Sequence, residues 1–170
     1  LLERAADKVT NRRYNVVICQ EDLVNSNNAP RILKLHGSFP SYRPFIITEE
    51  DYRTYPVKFA AMVNTVQQAL LESVFCMLGF SCEDPNFIKW IGWIHDNLGK
   101  SSSQKIYMVS VTNIAEAKRK LLFERNIIVI DLQELWPDKN IGDRLNSFLE
   151  ELKLRVEENR RKDNWFDLRQ

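Results

Sequence analysis

Short apolar, β-branched runs alternate along this chain with longer stretches in which apolar residues recur every three to four positions. Tyr14–Cys19, Ile32–Leu35, Val74–Phe80, Lys105–Val111 and Asn126–Asp131 have the length and composition of buried strands. Between them, Phe59, Met62, Val63, Val66, Ala69 and Leu70 predict a helix over Val57–Leu71. Asp84-Pro85-Asn86 reads as a helix start, and Phe87, Ile88, Trp90, Ile91, Trp93 and Ile94 predict a bulky helix packed on several sides. Ile114–Phe123 predicts a further helix, and Thr48-Glu49-Glu50-Asp51 a capped helix start after the extended Phe45–Thr48. Asn25–Pro30 and Phe39–Pro44 read as irregular loops. Strands alternating with helices predict an α/β fold with a doubly wound, mainly parallel sheet, right-handed crossovers and flanking helices.

The two ends look different. Leu1–Lys8 reads as a helix already in progress, with no initiator Met and no cap, so the chain is expected to be an excised piece of a larger protein. Residues 1–135 hold the α/β pattern. Residues 136–170 read as a helical extension or linker to a further domain, with Leu145, Phe148, Leu149, Leu152 and Val156 at helical spacing and Trp165-Phe166 as an assembly contact or junction.

Composition narrows the class. With 170 residues, 44% hydrophobic and 28% charged, the chain suits one soluble domain with a substantial core. A formal net charge of +1 gives no broad phosphate-neutralising surface, so nucleic acid is not an expected partner. Cys19, Cys76 and Cys82 lack paired spacing and read as reduced, buried thiols of a cytoplasmic protein, with no metal site expected. No apolar stretch reaches the roughly 20 residues of a membrane span.

The candidate chemistry lies at strand ends. Lys34-Leu35-His36-Gly37-Ser38 puts an imidazole at the carboxyl end of one strand, and Gly79-Phe80-Ser81-Cys82-Glu83-Asp84 follows another. In open α/β sheets that edge is where ligands bind. Together with Ile47-Thr48-Glu49-Glu50-Asp51-Tyr52, these segments resemble, in order and spacing, the carboxyl-terminal two-thirds of bacterial sirtuin-like (silent information regulator) domains. The resemblance covers roughly residues 1 to 135 and implies a Rossmann-like domain that takes NAD as a substrate and cleaves its nicotinamide–ribose bond, by hydrolysis or in protein deacylation.

Two of that family's elements are not in this chain. Its glycine-rich loop has no counterpart among five singly scattered glycines, and its Thr-Asn-aromatic-Asp segment is missing. Leu1–Arg4 resemble the residues just after that segment, so the isolated chain is expected to be inactive. The four-cysteine zinc ribbon of the deacylase branch is also missing, which favours the hydrolase branch found in antiviral defence proteins. A non-catalytic NAD- or ADP-ribose-binding sensor is the alternative, and a homo-oligomer is a possible assembly.

His36 is the candidate general base for a ribose hydroxyl or a water, against the plainer role of a hydrogen-bonded sheet-edge histidine. Gly37 would let a ligand or backbone come close. Gly79 and Ser81 could meet ribose or phosphate, or simply form a strand-to-helix turn. Asp84 is a cofactor candidate whose favoured reading is a helix cap. Ser110 and Thr112 lie where such folds meet the adenosine half of a dinucleotide. Asp51 and Tyr52 are read as structural, His95 as a packing or surface residue, Trp90 and Trp93 as core or interface anchors, and Lys118-Arg119-Lys120 as a solvated helix face.

Overall fold

In the computed structural model, described for residues 2–10, 12–26, 30–39, 45–99 and 103–167 with side chains up to residue 160, the strand-forming runs fall into two parallel sheets. The chain divides into two compact units, Leu1–Glu72 with Glu83–Ile94, and Ser73–Cys82 with His95–Gln170. Parallel strands flanked by helices make this an α/β, Rossmann-like fold. Residues 27–29, 40–44 and 100–102, on which parts of the expected loops fall, lie outside the described residues, as do the Trp165 and Phe166 side chains.

In the first unit, α1 (Leu2–Ala6) precedes β1 (Asn15–Val17), which pairs in parallel with β2 (Arg31–Leu33) in the register Asn15–Arg31 to Val17–Leu33. Both strands are shorter than their apolar runs, although the Lys34 amide still donates to Val17 O at 2.9 Å. Beyond β1 the chain turns because the Asp22 carboxylate accepts from the Ile18 and Cys19 amides at 2.8 and 3.1 Å. Those bonds hold the Asp22 carboxyl below its ordinary range.

Then α2 (Glu49–Lys58) begins with the expected capping box. Thr48 Oγ1 accepts from the Asp51 amide at 3.2 Å, and Asp51 accepts from the Thr48 and Ile47 amides at 2.9 and 3.2 Å. The helix ends at Phe59, and α3 (Ala60–Glu72) buries Met62, Val63, Val66 and Leu70, while Ala69 falls off that stripe and is exposed. The single helix expected over 57–71 is therefore two. The helix α4 (Pro85–Leu98) buries Phe87, Trp90, Ile91 and Ile94, the one stripe its i, i+3, i+4, i+7 spacing defines. Ile88 and Trp93 remain 39% and 38% exposed, so α4 is not packed on several sides.

In the second unit, β3 (Phe75–Leu78), β4 (Ile106–Ser110) and β5 (Ile127–Asp131) run parallel in that order. The central strand β4 is the most buried, as two-sided covering requires. Cys82 packs its sulfur against Met77 and Met108, at 3.7 and 3.5 Å. Cys76, expected to be buried, is exposed because its strand position points away from that core. After β4 come α5 (Glu116–Glu124), then, beyond β5, α6 (Leu132–Leu135) and α7 (Ile141–Asp167). The Arg144 guanidinium anchors α7 by donating to three backbone carbonyls, Val111, Trp136 and Pro137, each at 3.0 Å.

Arg119 is not part of a solvated face. Its Nη2 lies 2.6 Å from both Asp131 and Glu134, and its Nε donates to Ile114 O at 3.1 Å. Sequence spacing hides this pairing, since the acidic partners belong to β5 and to α6 after it.

In the first unit, Lys34 holds Glu3 of α1 at 2.5 Å, and this hydrogen bond lowers the Glu3 pKa from 4.5 to about 2. A depressed folded-state pKa contributes stability that is complete above 4.5 and lost as pH falls toward 2. Carbon-13 titration of the Glu3 carboxyl should show that low midpoint, and Lys34→Ala should raise it part of the way back, because a backbone hydrogen bond to the carboxylate also lowers it.

Candidate functional site

The turn that follows β2 sets the position of His36. Tyr55, wholly buried in α2, donates its hydroxyl to Leu35 O at 2.9 Å, and the Ile46 amide donates to His36 O at 3.2 Å. These two bonds clamp the backbone on either side of the imidazole. The ring stands edge-on to Tyr52 at 5.3 Å and to Tyr55 at 6.0 Å, which fixes its orientation from the α2 side.

Gly37 has a φ of +99°, a region that side-chain-bearing residues rarely adopt. A Cβ there would lie 2.8 Å from Phe45 Cδ1 and 3.3 Å from Phe45 Cα. Both the backbone angle and the packing thus demand glycine. Gly37→Ala is expected to destabilise the protein by about 2 kcal/mol, read as a lowered midpoint in chemical denaturation. An unchanged midpoint would show that the turn relaxes without strain. An open cleft of about 590 Å³ lies beside this turn, lined in part by Glu3, Arg4, Lys34, Gly37, Ser38 and Phe39.

Asp84 serves two neighbours at once. Its Oδ1 accepts from the Phe87 amide at 2.9 Å, which is the helix cap expected from sequence. Its Oδ2 lies 3.8 Å from His36 Nε2, within ion-pair range when the imidazole is protonated. The side chains are 15% exposed for Asp84 and 36% for His36, so the carboxylate is shielded while the imidazole keeps access to solvent.

Tyr52 completes the group. Burial, the charge of Asp84 and a hydrogen bond with it push the phenol above its ordinary pKa, so it stays protonated and available as a donor. Sequence reading assigned Tyr52 to structure alone. Its place beside both His36 and Asp84 was visible only as the aromatic at the end of the Thr48–Tyr52 segment.

The structure therefore brings His36, Gly37, Asp84 and Tyr52 together in the first unit. The other candidates belong to the second. There Gly79 and Ser81 follow β3, and Ser110 and Thr112 mark the end of β4, at the carboxyl edge of two paired parallel strands. Gly79 has a φ of +65° with open space where a side chain would be, and Ser81 is exposed. The Ser110 hydroxyl donates to Thr112 O at 2.6 Å, which ties up its proton in the turn and leaves its oxygen as an acceptor. Among the described residues no cluster of His, Cys, Asp or Glu could hold a metal ion.

A family model for the SIR2-like domain matches residues 1–130, which include every one of these side chains. The chain belongs to the SIR2-like domain family. One relative is the NAD(+) hydrolase ThsA of Acinetobacter baumannii (strain 532279), 24% identical over 131 residues, spanning 75% of this chain and 27% of the relative. Another is defense-associated sirtuin 2 of Bacillus subtilis, 22% identical over 149 residues, spanning 85% of this chain and 15% of the relative. The chain thus covers only a minor part of each relative's length. The helix α7 lies wholly beyond the residues that the SIR2-like model matches. Among the described residues no helix is long and apolar enough to cross a membrane.

Proposed function

We propose that this chain is part of the NAD-hydrolysing domain of a longer defence protein, with His36 as general base. The observation that carries the reading is the solvent-accessible imidazole held at a strand end between Tyr52, Tyr55 and Asp84, inside a SIR2-like domain. A relative named as an NAD(+) hydrolase supports the choice of substrate.

In this reading a water attacks the ribose carbon that carries nicotinamide. The C–N bond breaks with its electron pair on the pyridine nitrogen, so nicotinamide leaves neutral, and the water's proton passes to His36 and then to solvent. The products are nicotinamide, ADP-ribose and one proton. Positive charge develops on the ribose as the bond breaks, and the Asp84 carboxylate beside His36 stabilises the imidazolium that forms. Beside His36 in the same unit, Gly37 serves as a close backbone contact for the dinucleotide.

The test is nicotinamide release from NAD by the complete protein in the presence of its activating signal. Release of nicotinamide with ADP-ribose supports hydrolysis. NAD binding without release would replace hydrolysis with sensing, and formation of an acyl-ADP-ribose from an acylated peptide would assign the domain to protein deacylation.

A further inference from the structure

The helix α7 is packed only at its start. Arg144 ties its first turn to the carbonyls of Val111, Trp136 and Pro137, and Leu145, Ser147 and Phe148 are half-buried. From residue 149 to residue 160 every side chain is exposed. A helical stretch of that length is marginal in water without tertiary packing, because propensity alone gives it little. Yet this one carries a continuous apolar seam. Leu145, Leu149, Leu152 and Val156 recur at alternating spacings of four and three, the a/d repeat of paired helices. Leu149, Leu152 and Val156 are 43%, 49% and 43% exposed, and a second helix is the element whose geometry covers such a stripe.

The charges beside the seam define what that helix must carry. The e and g positions that edge an a/d seam hold Lys153 and Arg160 on one side and Arg155 on the other. Arg155 is steadied by Glu151 one turn earlier, Nε to carboxylate at 2.9 Å. Glu150, Glu157 and Glu158 fall on the far face. Two copies of α7 meeting along the seam would set Arg155 against Arg160 when parallel, and Lys153 against Lys153 or Arg160 when antiparallel. Like charges so placed disfavour self-pairing. An anionic bilayer is disfavoured as well, since Glu150, Glu151, Glu157 and Glu158 outnumber the cations of the exposed stretch.

We infer that the seam of α7 is the docking surface for an amphipathic helix whose own apolar stripe is edged with Asp and Glu, supplied by another part of the same longer protein. The source of that helix rests on the proposed membership of a longer protein and is independent of NAD chemistry. The chain spans 27% and 15% of its two relatives, and a helix tethered to the same polypeptide meets the seam at a higher effective concentration than a free one. Because Arg144 ties α7 to Val111, just after β4, a helix docked on the seam is coupled to the carboxyl edge of the second sheet.

The test uses the complete protein as an equal mixture of isotopically labelled and unlabelled copies. Hydrogen exchange is followed across residues 149–160, and carbodiimide joins lysine amines to the carboxylates they pair with. Protected amides are expected, with a cross-link from Lys153 to an Asp or Glu of another segment within one copy. Leu152→Gln, which removes only the apolar contact, should speed exchange of these amides roughly 10- to 100-fold. Lys153→Glu should speed it about 2- to 5-fold, as loss of an exposed charge pair does.

Cross-links between labelled and unlabelled copies would give the seam to a second copy, and there Lys153→Glu would slow exchange by setting a carboxylate against Arg160. Wild-type amides that exchange like those of an unprotected peptide would show that no part of the protein covers the seam. Protection that arises only with vesicles of anionic phospholipid would assign it to a membrane. Protection unchanged in both variants would place the contact on another face of α7. Each of these four results overturns the inference. Should Leu152→Gln fail to fold, Lys153→Glu, at an exposed position, supplies the comparison. Failure of the wider reading is separate: a protein that never releases nicotinamide but shows the Lys153 cross-link within one copy is not a hydrolase, and the docking surface stands. Nicotinamide release with an uncovered seam leaves hydrolysis intact and removes the docking surface.

Discussion

His36→Ala in the complete protein is expected to lower the rate of nicotinamide release by roughly 10²- to 10⁴-fold, the range over which a positioned general base contributes, while NAD binding and the melting temperature stay close to wild type. The expectation of intact folding follows from the surroundings of the ring. The turn is held by its backbone, through Tyr55 to Leu35 O and Ile46 to His36 O, and not by the imidazole. The side chain is 36% exposed, so its removal opens little buried volume. Asp84→Asn separates the two jobs of the carboxylate. The amide oxygen can still cap α4 at the Phe87 amide, but the charge facing His36 is gone. Its rate loss should be smaller than that of His36→Ala, and it should vanish when His36 is already alanine. Full activity in His36→Ala would remove the imidazole from the chemistry and leave its edge packing against Tyr52 and Tyr55 as its only role.

How far such a site is legible in sequence depends on the range of the interactions that build it. The strands were readable because a β-branched run must be buried wherever it occurs, and the Thr48–Asp51 box because both partners lie within one helical turn. His36 and Asp84 were readable as candidates because each ends or follows such a run. What joins them was not. Asp84 meets His36 from the start of α4, and Tyr52 meets both from α2, so the group exists only after three elements are packed. Gly37 shows the same limit from the other side. A close approach was foreseeable at a glycine after a strand, but the ring and Cα of Phe45 as neighbours were not.

Asp131→Ala is expected to destabilise the second unit by about 3–5 kcal/mol, the cost of removing one partner from a buried ion pair. The Asp131 side chain is wholly buried and every contact of its carboxylate is specific. Oδ1 accepts from the Gln133 amide at 2.9 Å and so caps α6, while Oδ2 accepts from the Ile114 amide at 3.3 Å and pairs with Arg119 at 2.6 Å. Alanine leaves both amides unpaired and leaves Arg119 with Glu134, whose side chain is 60% exposed and gives weak compensation. For a chain of this size the loss corresponds to a fall in melting temperature of about 10 °C. Asp131→Asn should cost less, because an amide oxygen can keep the Gln133 cap while only the charge is lost. Hydrogen exchange would place the effect: protection should fall first in α5 and β5, the two elements the carboxylate joins. A variant that melts like wild type would show that Arg119 and the freed amides find solvent or new partners, and that this buried carboxylate contributes little to stability.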